Sequence, residues 1–493
     1  MLQKQREGML VSPHERLTND QVSLVDGISR ELLKDPGIVC HNVRAAEVFG
    51  NAGAEVEVTS DAFRVRLLSK VVDKALASAP SKIVLGARDP ENRLVLDADE
   101  PRVRFGTGAE TNFWLDVQFD DFTPQFTREP GTIERLGKSA HLCDNLDNLD
   151  FFIRNVNIQD KEITAENKDV NKFFVSLNNT AKHVQAGLTS LEALEDIVRM
   201  GHIVAGGKAS FDCNPVLSFI TCVIKSPLEM VDDTASKLIE ISKHRVPVVI
   251  SSCPMGGATA PFDELGMVAQ VNAEVLAGVV LGQLVAPGTP VLYGAVPVRT
   301  RLDNLNDMYA AAEFVHYNLD CVQMARFYGL PCYSTAGVGD ASVPGIQATA
   351  EKMLTLLSTP AAGAQYIHYA FGLLERTNVF CPEQAILDDA HIDLVKQTLQ
   401  SHRVDERRQK ETLSLIREVM GSAQRTYMYH LPLPSRDPVY ACYPLEDADG
   451  GALLAAHRRY QEILELPRNV MPIHLQQDIW SNIPGILATA MSR

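Results

Sequence analysis

The residues best suited to chemistry stand where short apolar runs of the sequence stop. Thr221–Cys222, Ser252–Cys253–Pro254–Met255, Tyr293–Gly294, Ala336–Gly337–Val338–Gly339–Asp340 and His368–Tyr369 each close such a run. Glycines and small residues there leave space, and Tyr, Met and His would line it. Charge is scarce, since Asp340 is the only carboxylate in the set. A pocket of this composition is aromatic and poor in polar groups, unlike one that grips phosphate or a metal.

Other chemistries fail on spacing. The cysteines at 40, 143, 213, 222, 253, 321, 332, 381 and 442 form no CxxC pair, and no two histidines have HExxH spacing. No zinc or other metal site is therefore expected. There is no GxSxG elbow. The glycines in FGTGAE (105–110) and AGVGDA (336–341) lack the third member of a dinucleotide fingerprint. AGGKAS (205–210) has His202 where a phosphate loop needs its first glycine. A lyase or aldolase acting on a small polar metabolite is an alternative, but it would need a Schiff-base lysine or metal-binding carboxylates at strand ends. A non-catalytic binder of betaines is another.

The elements that position these residues follow from hydrophobic periodicity. Apolar, β-rich runs recur at 151–158, 172–177, 216–224, 246–252, 289–296, 330–337 and 364–371, with helix-like segments between them. Near-continuous apolar strands alternating with helices predict a parallel sheet covered on both faces. The number of units points to a (β/α)₈ TIM barrel, with an open doubly wound sheet as the alternative. Residues 1–100 are expected to be an N-terminal cap or extension: helices over LTNDQVSLVDGISRELL and FRVRLLSKVVDKALASA, then short strands in SKIVLGARD and NRLVLDAD. The barrel is assigned to 101–390. A helical C-terminal extension, with Pro-rich loops at 431–444, is assigned to 391–493.

The 493 residues exceed the roughly 250 of a minimal barrel. A formal net charge of −16 argues against nucleic acid and anionic membrane surfaces as partners. Nine scattered cysteines and no apolar leader point to a cytoplasmic protein with reduced thiols. The long apolar stretch ending at Val285 is broken by Gln270, Asn272, Glu274 and Gln283, which predicts a buried helix rather than a membrane span. Apolar helices of this kind imply subunit contacts and a homo-oligomer.

Four strings carry a resemblance: ITCVIKSPL (220–228), SSCPMGGATAPFDELGMVAQVNAEVLAGVVLGQLVAPGTPVLYG (251–294), YGLPCYSTAGVGDASVPGIQATAEK (328–352) and GAQYIHYAFGLLE (363–375). Together they resemble the trimethylamine methyltransferase family. The resemblance implies a TIM-barrel enzyme that passes a methyl group from a methylated amine to the cob(I)alamin of a separate small corrinoid protein. The corrinoid would come with that partner and not be bound tightly by this chain. Founding members carry a pyrrolysine in the segment matching AGVGDAS, and Val338 stands at the matching position here. Relatives without pyrrolysine act on quaternary amines such as glycine betaine, whose nitrogen is already cationic and leaves as a neutral amine. The nucleophile is then the partner's Co(I), so no catalytic residue of this chain is assigned.

Aromatic faces hold such ammonium groups by cation–π attraction. The substrate-binding candidates are Tyr293, Tyr333, Tyr369 and Phe371, with Phe219 behind them and Met255 as a gap filler. His368 and Thr221 are candidates to hydrogen-bond the substrate's carboxylate. Asp340 would balance the cation or cap the following helix.

Overall fold

The computed structural model describes residues 6–400, 406–421 and 451–490. The Pro-rich stretch at 431–444 and Cys442 lie outside the described residues. Eight parallel strands carry the core: β1 (Arg102–Phe105), β2 (Phe151–Ile153), β3 (His183–Ala186), β4 (Leu217–Cys222), β5 (Val248–Ser252), β6 (Val291–Ala295), β7 (Cys332–Thr335) and β8 (Tyr366–His368). They form a curled nine-stranded sheet in the order β1–β8–β7–β6–β5–β4–β3–β2, with Met9–Leu10 added antiparallel to β1. An isolated parallel bridge joins Gly106, just past β1, to Phe151 of β2.

A helix follows each strand: α1 (Ile133–Asp144), α2 (Lys168–Asn179), α3 (Leu194–Ala205), α4 (Asp232–His244), α5 (Glu264–Val285), α6 (Ala312–Phe327), α7 (Ile346–Ala361) and α8 (Pro382–Leu399). Side-chain caps start several of them. Thr132 accepts from the Arg135 N–H before α1, and Asp263 accepts from the Gly266 N–H before α5.

Two assignments change. KFFVSL (172–177), expected as a strand, lies within α2. Val170, Phe173, Phe174 and Leu177 have helical spacing, but α2 is buried on every side, so its sequence reads as a continuous apolar run. The true strand is the neighbouring HVQA of β3, whose His183 and Gln185 hide it from an apolar scan. The second N-terminal helix starts at Ser69, because Phe63–Arg66 forms a strand against Ile38–Cys40 and Glu55–Val58.

Helix α5 is long and apolar enough to span a membrane, yet 89% of its apolar window is buried inside the chain. Part of its cover comes from the N-terminal helices Asn19–Lys34 and Ser69–Ser78. Ser29 Oγ donates to Ala269 O at 2.9 Å, and Ser78 Oγ donates to Gln283 Oε1 at 3.2 Å. The chain thus buries this helix largely with its own residues, as its polar interruptions predict.

The hairpin Lys82–Leu85/Leu94–Asp97 lies across the N-terminal ends of the strands. Gly86 N donates to Pro215 O ahead of β4, Asp89 N to Ala181 O ahead of β3, and Gln365 Nε2 to Asp97 O ahead of β8. Ile83, Leu85, Leu94 and Leu96 pack with Phe151, Ile153, Val249, Leu292, Tyr333 and Tyr366 on the concave side of the sheet.

Candidate functional site

Strand side chains alternate between faces, so residue parity decides what reaches the concave side. On β8, Tyr366 and His368 share that side. Their ladder partners on β7 are Tyr333 and Thr335. The rings stack in sequence: Phe151 on Tyr366 at 3.6 Å between centroids, Tyr366 on Tyr333 at 5.9 Å, and Tyr333 on His368 at 4.1 Å. Beyond β8 the chain turns at Tyr369, which has a left-handed φ of 68°. This turn brings the Tyr369 ring to 3.8 Å from that of His368 and to 6.4 Å from Tyr309, which precedes α6. Gly108 is needed opposite, since a Cβ there would fall 2.4 Å from the Tyr369 ring.

His368 is buried, with Nε2 at 2.6 Å from Thr335 Oγ1 and Nδ1 without a partner. Burial holds its pKa well below the ordinary histidine value, so the ring is neutral near pH 7. Solvent reaches Cys222 and Cys253 at the ends of β4 and β5, although protein surrounds both. They line a recess, and desolvation pushes both thiols up, away from a reactive thiolate.

Asp340 lies at the same end. Its carboxylate accepts from the backbone N–H groups of Tyr309 at 3.3 Å and Ala310 at 3.4 Å. Burial raises the Asp340 pKa, and it does the same for Asp307, two residues before Tyr309. Below this layer, Lys352 Nζ lies 3.1 Å from Asp388 and donates to Leu373 O at 3.0 Å and to Gly337 O. Asp388 accepts from Gly372 N at 2.7 Å. This fully buried pair ties the loop after β7 to the loop after β8.

Tyr333, Tyr369, His368 and Asp340 are therefore brought to one end of the sheet, together with Cys222 and Cys253. Tyr293 is placed elsewhere: its hydroxyl donates to Asn272 Oδ1 on α5 at 3.0 Å. Phe219 meets Phe173 of α2 edge-on at 5.6 Å, so it also faces the helices. Thr221 shares that face of β4 by alternation, and its buried Oγ1 has no partner. Phe371 and Val338 are fully buried in the main core cluster, and Met255 packs against that cluster half-buried. Sequence reasoning missed Asp307, Tyr309 and Thr335. Tyr309 lies in a stretch whose pattern resembles the start of the α6 helix, and only the short Asp307–Met308 strand ahead of it marks the loop. Among the described residues, no three His, Cys, Asp or Glu side chains converge as a metal-binding group.

The profile of the family "Trimethylamine methyltransferase (MTTB)" matches residues 5–426. The chain is 28% identical over 479 residues to "Trimethylamine methyltransferase MttB" of Desulfitobacterium hafniense, covering 95% of this chain and 92% of that one. It is 31% identical to the Methanosarcina barkeri protein of the same name, over 81% of this chain and 78% of that one. A "Glycine betaine methyltransferase" of Desulfitobacterium hafniense is 28% identical, over 81% of this chain and 80% of the relative.

Proposed function

Since the chain belongs to the trimethylamine methyltransferase family and is a methyltransferase, we propose that it takes a methyl group from a quaternary amine and delivers it to a corrinoid carried by a separate small protein. The observation that carries this reading is the group of rings from Tyr333, His368, Tyr369 and Tyr309 at the end of β7 and β8. Such faces fit a quaternary ammonium, each contributing about 0.5–2 kcal/mol. The relative named for glycine betaine acts on a compound of that class. When bound, the corrinoid supplies a nucleophilic cobalt.

The chain's own work is positioning and exclusion of water. The ring of Tyr369, with Tyr309 edge-on beside it, orients the ammonium so that one methyl faces the open end of the recess, while Tyr333 and His368 stack beneath it. The carboxylate of Asp340 offsets the positive charge while the substrate is bound. As the methyl leaves, the nitrogen keeps its bonding pair and departs as a neutral amine, so no proton has to be moved. His368, held in place by Thr335, offers Nδ1 to a polar group of the substrate.

The same reading makes the curled sheet a closed (β/α)₈ barrel over 101–390, flanked by the extensions 1–100 and 391–493. The Gly106–Phe151 bridge and the Asp150 N–H donating to Phe105 O at 2.7 Å support closure. It also places the protein in the cytoplasm as a homo-oligomer; the eight free cysteines among the described residues support the location.

The test is the visible spectrum of a Co(I) corrinoid protein mixed with this chain and a panel of quaternary amines. The Co(I) absorbance should disappear with at least one amine. No change across a broad panel, with a corrinoid protein competent in a control reaction, would overturn the proposal.

A further inference from the structure

Within that reading, the balance of charge around the recess narrows the substrate. Asp307 and Tyr309 stand two residues apart, and Asp340 holds the backbone at Tyr309. The Asp340 carboxylate therefore sits beside the Tyr309–Tyr369 ring pair, and the charge of Asp307 acts on both rings. Asp307 acts on Cys253, Tyr309 and Tyr369, Asp340 on Tyr309 and Glu274 on Cys253, each carboxylate raising the pKa of the group it acts on. Arg376 is the cation that acts on Asp307 and Asp340, and Glu351 adds a further carboxylate beside Asp340. The acids stay in excess. The buried, unpartnered Nδ1 of His368, on a ring packed between Tyr333 and Tyr369, marks a place for a polar group of a ligand. A neutral imidazole can meet a hydroxyl or a carbonyl there, but it brings no charge to offset a carboxylate.

We propose that Asp307 and Asp340 select a quaternary ammonium of net charge +1, bearing at most an uncharged polar group near its nitrogen, over zwitterions with a carboxylate one or two carbons away. A cation gains from both acids and from the rings. A short betaine gains the same at its nitrogen, but it must bring its carboxylate into a recess whose nearest charges are negative and whose histidine is neutral. A like charge held without a partner in a desolvated site is penalised, and this is specificity by repulsion.

Calorimetric titration of the whole chain with choline, glycine betaine and the neutral isostere 3,3-dimethylbutan-1-ol tests this without any methyl transfer. Choline should bind at least tenfold tighter than either of the others. Asp307→Asn and Asp340→Asn should each shrink the choline-to-betaine ratio severalfold, and Arg376→Gln should widen it. Asp340→Asn keeps an oxygen for one of the two N–H groups, Tyr309 or Ala310, that the two carboxylate oxygens accept from, and melting curves check that each variant folds. Glycine betaine binding as tightly as choline overturns the selection, as does failure of both ammonium compounds to bind. Tight choline binding with no methyl transfer to any corrinoid protein would instead overturn the methyltransferase reading of the site and leave the charge selection standing.

Discussion

His368 and Thr335 are ladder partners on adjacent strands, and Nε2 of the histidine lies 2.6 Å from the threonine hydroxyl. The bond fixes the ring plane between Tyr333 and Tyr369 and leaves Nδ1 free. Removing a hydrogen bond between two neutral groups costs about 0.5–1.5 kcal/mol. His368→Ala should therefore weaken amine binding by roughly 2- to 13-fold, and because the ring is buried between two others it should also lower the melting temperature. Thr335→Val, which frees the ring but keeps it, should weaken binding less. A variant that unfolds, together with a wild type that binds no amine, would make His368 a core residue only.

Buried His183 gives a pH dependence with a definite sign. Its Nδ1–H donates to Gly86 O at 2.7 Å, and burial lowers its pKa to about 4. The unfolded chain takes up the proton near pH 6.5, whereas the folded chain resists until about pH 4. Stability is therefore full above about pH 6.5, falls as pH drops toward 4, and loses roughly 3 kcal/mol across that window. Urea melts of the wild type and of His183→Asn should differ in slope over that range. Parallel pH profiles would show that His183 is not the group responsible.

The Lys352–Asp388 pair is fully buried. Lys352→Met leaves a carboxylate stranded beneath the loops after β7 and β8, at a cost of about 3–5 kcal/mol. Adding Asp388→Leu should restore part of that stability. Denaturant midpoints of the three proteins decide, and a single variant as stable as wild type refutes the strained-charge argument.

Trimethylamine should be a poor substrate. Val338, which the sequence resemblance would match to the special residue of the founding family, is a buried aliphatic side chain with no electrophile to make a tertiary amine cationic. Without that activation, methyl transfer would have to expel an amide-like anion. The comparison is kcat/KM for trimethylamine against quaternary amines with one corrinoid partner. Equal values would remove Val338 from the explanation.

Strand–helix alternation was legible because apolar runs and helix caps are local signals. What failed was local in the same way. Phe173 and Phe174 on α2 look like strand residues because every face of that helix is buried, and His183 and Gln185 disguise β3 as a loop. The site was half legible. Tyr369, His368 and Asp340 close recognisable runs and Tyr333 lies within one, but whether Tyr293 faces the recess or α5 depends on strand parity, which a change of one residue in register reverses. Asp307 and Tyr309 reach the site through a loop whose path no periodicity encodes.

The hairpin Lys82–Leu85/Leu94–Asp97 plugs one end of the sheet's concave side with Ile83, Leu85, Leu94 and Leu96. Among the described residues the recess is thus closed at that end, and under the proposed function the opposite end would have to admit the amine, receive the methyl acceptor and release the demethylated product. Such traffic has to be ordered. The amine would enter before the acceptor closes that doorway, and the product would wait until the acceptor withdraws. An excess of acceptor protein should then slow turnover by trapping product inside, a kinetic signature set by the plug and not by the chemistry at the other end.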